Sequence, residues 1–337
     1  MKSAIYHGIK QISIEEKPMP KPGLNDVIVQ IKRAGICATD VTAYNYNGDI
    51  VSIFPGAEFG HEMVGVVSEV GASVQDIFVG MRVFVNPLTF RNPTDTDRGG
   101  AFSEYVLVAN AQLNYNLFVL PDNVSYDDAV VIEPFSVGVH GKNVPGAKPG
   151  SNIVIYGAGA IGLCTLSALV GSGVNNAVIV DLDDQRLALA KEMGGVPFNL
   201  KESNFREFLI GHFGQSDNCV GLPTPNVDIY IDCAGASNIP DQFLSMAKAG
   251  AKLSVVAVHK KSPEVAFSSL MMTEAVIMGS FMYTPKDINE TLGYLSSHST
   301  QINKIITHRY PHSQITEAFE MACDASQAIK VVIDYDL

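Results

Sequence analysis

Short apolar runs separated by glycine, proline and asparagine occupy the first part of the chain: Ile12–Ile14, Val27–Ile31, Val64–Val70 and Met81–Val85. That punctuation predicts strands and turns. Pro18, Pro20 and Pro22 predict a stiff connector, since proline cannot continue a helix. The texture changes near residue 135. Ile153–Tyr156 and Ala177–Val180 predict two short strands, followed by the helical patterns Ile161–Val170 and Asp184–Met193, the second with Leu187 and Ala190 on one face. Val227–Ile231, Leu253–Val258 and Ala275–Met278 predict further strands. Strands alternating with helices imply βαβ units and a parallel sheet. Thr284-Pro285-Lys286-Asp287 predicts a helix start, with Thr as N-cap and Pro in the first turn. Ser313–Cys323 predicts another helix and Lys330–Asp334 a last strand.

One stretch changes the picture. Between Pro149 and Val180 there is no Asp, Glu, Lys or Arg. A membrane span needs about 20 apolar residues. This stretch, however, holds Gly150, Gly157, Gly159, Gly162, Gly171 and Gly173, so it reads as a strand, a glycine loop and a helix buried on both faces. The whole chain has 337 residues, which at roughly 150 residues per domain suggests two domains or one large one. Apolar residues make up 47% and charged residues 17%, enough for a sizeable core and unlike a disordered chain. A net charge of -12 disfavours a phosphate-binding surface, so no nucleic-acid partner is expected. No apolar signal core follows Met1-Lys2-Ser3, and the five scattered cysteines are not a disulfide framework. A cytoplasmic protein without a membrane segment is expected.

Gly157-Ala158-Gly159-Ala160-Ile161-Gly162 fits G-x-G-x-x-G between a predicted strand and a predicted helix. Asp181 ends the next strand, 24 residues after Gly157. This arrangement binds a dinucleotide. Gly157 serves the tight turn, Gly159 the approach of the pyrophosphate, and Gly162 the packing of helix on strand. The helix start at Ala160 and Ile161 offers free N–H groups and a partial positive charge. Asp181 would accept from the adenosine ribose diol and repel a 2′-phosphate, which favours NAD over NADP. Arg186 stands close enough in sequence to meet a phosphate.

Cys37, His61, Glu62 and Glu133 include the donor types that zinc accepts. Taken singly they read as a buried thiol, a core histidine and two surface carboxylates, and spacing alone does not gather them. Gly60-His61-Glu62-x-x-Gly65-x5-Gly71-x-x-Val74 resembles the zinc-containing alcohol dehydrogenase signature of the medium-chain dehydrogenase/reductase superfamily. Gly35-Ile36-Cys37-x-Thr39-Asp40 and the later glycine loop follow in that family's order, so the resemblance spans essentially the whole chain. Glu133-Pro134-Phe135-Ser136-Val137-Gly138-Val139-His140 resembles the sorbitol, threonine and butanediol dehydrogenase branch.

The resemblance implies an α/β protein: a Rossmann doubly wound parallel sheet plus a β-rich catalytic domain. Its zinc-binding domain would span 1–135 and its NAD domain 136–284, with 285–337 returning to the catalytic domain. It implies Cys37 and His61 as zinc ligands, and Glu62 as a third ligand or a residue behind the metal. Glu133 would bind directly or through water, Thr39 would carry the alcohol proton outward, and Asp40 would orient His61. One catalytic zinc and NAD are implied. No structural zinc is expected, because no cysteine lies between Cys37 and Cys164 and the segment Asn86–Gly100 is short. Thr42 stands where many relatives end the proton relay with histidine. Met282 stands near a position where sorbitol dehydrogenases often carry arginine, and Val255–Lys261 looks more like butanediol dehydrogenases. The implied reaction moves a hydride between a secondary alcohol, such as a polyol, sugar alcohol or vicinal diol, or its ketone, and NAD(H). The resemblance also implies a homodimer or homotetramer pairing near Ala275–Phe281. A metal-free quinone or enoyl reductase, or a non-enzymatic NAD-binding redox sensor, would make the ligand set dispensable.

Overall fold

The computed structural model describes residues 1–90, 99–202 and 204–337. The chain forms two compact units, Met1–Glu133 with Asn303–Leu337, and Pro134–Ile302.

The first unit is mostly strand. Val27–Gly35 pairs antiparallel with Glu62–Val70, and Lys330–Asp334 pairs antiparallel on its other side. The C-terminal strand thus lies beside the segment that leads to Cys37. Lys2–Gly8, Gln11–Glu16 and Ala57–Glu58 form a smaller sheet. An aromatic group fills the core: Phe59, Phe102 and Phe319 have ring centroids 5.0–5.6 Å apart, and Tyr44 lies 5.3 Å from Phe319. It ties the Tyr44 helix and the Phe59 strand entry to the C-terminal helix Ile315–Cys323.

The second unit has one six-stranded parallel sheet. Numbered along the chain, its strands stand in the order third, second, first, fourth, fifth, sixth. That is the Rossmann order, with its switch point between the first strand, Ile153–Tyr156, and the fourth, Ile229–Asp232. The uncharged stretch becomes the wholly buried Ile153–Tyr156 and the helix Ala160–Gly171. No helix among the described residues is long and apolar enough to cross a membrane.

Two boundaries differ from the reading of the sequence. The strand expected over Leu253–Val258 covers Lys252–Val255, because the Val256 and Ala257 N–H groups turn to the Asp232 carbonyl at 3.0 and 2.9 Å. The helix Pro285–Ser296, expected to begin the return, packs within the second unit. Polar bonds hold it there: His140 Nδ1 lies 2.9 Å from Asp287 Oδ2, and Asn143 donates to both Asp287 and Glu290 at 2.9 Å. The segment Asn86–Gly100, on which the absence of a structural zinc was expected, lies mostly outside the described residues.

Candidate metal and dinucleotide sites

Cys37 is the N-cap between the strand Val27–Gly35 and the helix Ala38–Asn45. Asp40, in the first helical turn, accepts the Cys37 N–H on Oδ2 at 2.9 Å. His61 immediately precedes the strand Glu62–Val70, and the register pairs Gly35 with Glu62. One donor atom from each of Cys37, His61 and Glu62 therefore falls within 4.8 Å of the others. Glu133 lies buried in the first turn of the helix Ile132–Asn143, outside that triad.

The charges around His61 are mostly negative. Burial pushes its pKa down, but Cys37, Asp40 and Glu133 outweigh burial and hold it well above the ordinary value. Burial raises the Asp40 carboxyl, with His61 opposing. Asp40 Oδ1 is buried without a hydrogen-bond partner and lies 3.8 Å from His61 Nδ1, too far for a hydrogen bond. A thiol, an imidazole and a carboxylate with donor atoms within 4.8 Å of one another, beside an Asp40 oxygen that has no hydrogen-bond partner, suit a zinc ion.

Lys330 is the residue that the sequence reading missed. It is 4% exposed, and its Nζ donates to Glu62 Oε1 and Oε2 at 2.7 and 2.8 Å and to the Ile36 carbonyl at 3.1 Å. Glu62 is thus held on both oxygens by a buried ammonium. Gly35 makes room for it, since a Cβ there would stand 2.0 Å from Glu62 Oε2. Nothing local in the sequence links positions 62 and 330; only sheet pairing brings them together.

Two hydroxyls differ in availability. Thr39 Oγ1 is buried with no partner, whereas Thr42 Oγ1 donates back to the Ala38 carbonyl at 2.8 Å.

In the second unit the glycine loop lies between the first strand and its helix, with Gly159 as N-cap. Gly162 is required by close approach, because a Cβ there would stand 1.8 Å from the Gly157 carbonyl oxygen. Above Gly159 the space is open, and Arg186 Nη1 at 3.8 Å would be the nearest atom to an added Cβ. Ala160 and Ile161 form the first turn of the helix. Asp181 ends the second strand and accepts three backbone N–H groups, from Ala158 at 2.6 Å, Leu182 at 2.7 Å and Asp183 at 3.1 Å. A carboxylate has about four acceptor sites, so one remains for a ribose hydroxyl. An open cradle beside a helix start fits a dinucleotide phosphate.

Residues 23–121 match the family described as alcohol dehydrogenase GroES-like domain, and residues 160–297 match the family described as zinc-binding dehydrogenase. The chain is 31% identical to L-idonate 5-dehydrogenase of Vitis vinifera over 97% of this chain and 93% of that protein. It is 30% identical to sorbitol dehydrogenase of Arabidopsis thaliana over the same shares, 97% and 93%. Among solved structures, a protein described as a short chain alcohol dehydrogenase (rspB) from E. coli CFT073, complexed with NADH, superposes with a TM-score of 0.84 at 26% identity, covering 99% of each chain.

Proposed function

The chain belongs to the zinc-dependent alcohol dehydrogenase family of medium-chain dehydrogenases, in its sorbitol dehydrogenase-like branch, and from that premise we propose a catalytic apparatus for an NAD-linked polyol dehydrogenase. The observation that carries it is the gathering of Cys37, His61 and Glu62 donor atoms within 4.8 Å.

A zinc held at this site would supply Lewis-acid activation of a substrate hydroxyl, and a bound NAD would supply the hydride acceptor. Cys37 and His61 would hold the metal. Glu62, held on both oxygens by Lys330, would be a third ligand or stand just behind the metal. Glu133 completes the donor set directly or through water. The Thr39 hydroxyl, with no competing partner, takes the substrate proton and passes it outward. Thr42 takes no part, since its hydroxyl is used by its own helix. The open space above Gly159 receives the pyrophosphate, and the free acceptor site on Asp181 takes a ribose hydroxyl and disfavours a 2′-phosphate. Idonate and sorbitol, named by the relatives, both carry runs of secondary hydroxyls, so the substrate class is a polyhydroxy compound or vicinal diol.

The protein works in the cytoplasm as a homodimer or homotetramer. Supporting this, all five cysteines are free thiols. The strand Val276–Gly279 forms an edge of the parallel sheet, with Val276 and Phe281 exposed. An apolar unpaired edge otherwise invites wrong pairing.

Metal analysis with an NAD-reduction screen over idonate, sorbitol, xylitol, sugar phosphates, threonine and 2,3-butanediol tests the reading. Cys37→Ser is expected to lower turnover by roughly a thousandfold or more while NADH still binds. Full activity in that variant, or in metal-stripped protein, overturns it.

A further inference from the structure

Asp232 ends the fourth strand of the parallel sheet and is fully buried. Its Oδ1 accepts the N–H groups of Ala234 at 3.0 Å and Gly235 at 2.8 Å. Its carbonyl accepts those of Val256 and Ala257. Its Oδ2 lies 2.7 Å from His259 Nε2. Facing a carboxylate, that nitrogen is the donor. One residue therefore ties the turn 233–235 to the loop 256–259.

Both segments follow the carboxyl ends of neighbouring strands, the fourth and the fifth. The dinucleotide must cross this edge of the sheet. Its pyrophosphate belongs at the glycine loop after the first strand, and its adenosine ribose at Asp181 after the second. The fourth strand lies on the other side of the first, with Asp232 opposite Tyr156, the residue before Gly157. The nicotinamide half therefore falls over the ends of the fourth and fifth strands. There the loop turns His259 inward, leaving its side chain 12% exposed, and Val258 outward at 88% exposure. His259 Nδ1 is buried and has no partner. With Nε2–H given to Asp232, Nδ1 is a lone pair in the neutral ring and a second donor in the imidazolium, and a hydroxyl or a carboxamide satisfies either form. The nicotinamide half brings ribose hydroxyls and a carboxamide.

We propose that His259 is a positioning residue for the nicotinamide half of the cofactor, acting as a latch that holds the loop 256–259 to the turn 233–235 through Asp232. A pre-ordered loop adds little ordering cost at binding, whereas a released one must be ordered by the cofactor itself. The latch rests on the NAD-linked reading above.

The test is a titration with NADH, followed by the cofactor's own fluorescence; the chain contains no tryptophan to interfere. His259→Leu is expected to weaken NADH binding by about tenfold and to raise the KM for NAD similarly. Its KM for the alcohol, its kcat at saturating NAD and its zinc content should match wild type. His259→Gln, whose amide N–H can still reach a carboxylate, should recover most of the affinity. Unchanged NADH affinity in His259→Leu overturns the latch. So does a Gln variant that fails like Leu while both lose thermal stability, since the role is then only structural. A wild-type protein that binds no NADH takes the NAD reading down with the latch, whereas binding that is equal in wild type and His259→Leu removes the latch alone. If His259→Leu does not fold, His259→Asn, with a shorter amide, replaces it and the same loss is expected.

Discussion

Lys330 shows what a single side chain decides in the first unit. A lysine and a glutamate are both buried there, and each satisfies the other: Lys330 is 4% exposed and Glu62 0%. Removing one partner of a buried ion pair typically costs about 3–5 kcal/mol, because the remaining charge has no compensation. Lys330→Met is therefore expected to lose about that much stability in chemical denaturation. The double variant with Glu62→Met should recover a large part, since two apolar side chains of similar size leave no stranded charge. A single variant as stable as wild type would show that the carboxylate finds another partner. Cys37, His61 and Glu62 were visible in the sequence as donor types within a motif. Lys330 was not, because 268 residues separate it from Glu62.

The helix Pro285–Ser296 was legible at its start, and the structure supplies the reason. The Thr284 side chain caps the Asp287 N–H, while Asp287 accepts the Thr284 N–H at 2.8 Å in return. Such caps stabilise by about 1 kcal/mol, the loss expected for Thr284→Ala. Burial pushes the Asp287 carboxyl up, but its bonds to Thr284 and Asn143, with His140 beside it, bring it below the usual range. Its folded pKa is lower than its unfolded one, so its contribution is present above about pH 4 and is lost as pH falls through the folded value. Urea unfolding of wild type and Asp287→Asn across this range should show a smaller acid-side loss in the variant. Equal slopes would remove Asp287 as the source. Other elements were hidden from the sequence pattern. The outer strand Val196–Asn199 and the small strand Pro223–Pro225 contain proline, which argues against a strand when read locally. Val196–Asn199 sits at a sheet edge and pairs with one neighbour only, where a missing N–H is tolerated.

For the whole molecule, the exposed edge at Val276–Gly279 sets the expectation of assembly. Val276→Lys places a charge on that edge, and light scattering should then report a mass near that of one chain, 36.2 kDa, where wild type gives a multiple. A wild-type protein of single-chain mass at micromolar concentration would overturn the assembly. The sequence by itself determined the dinucleotide half most fully. Its glycine loop, buried strands and Asp181 act over short distances, and local periodicity records short-range packing. Through motif chemistry it also named candidate metal donors, three of which the fold gathers, and it separated the uncharged stretch from a membrane span by its glycines. Tertiary structure alone decided that Cys37, His61 and Glu62 meet, that Lys330 holds Glu62, and that the Thr39 hydroxyl has no partner while that of Thr42 bonds its own helix. It also decided where the fifth strand stops. Those outcomes depend on strand register and on hydrogen bonds between distant segments, such as Gly35 beside Glu62, Glu62 on Lys330, and Asp232 holding Val256, Ala257 and His259. A linear pattern of polar and apolar residues carries which face of an element is buried, but not which distant partner it meets there.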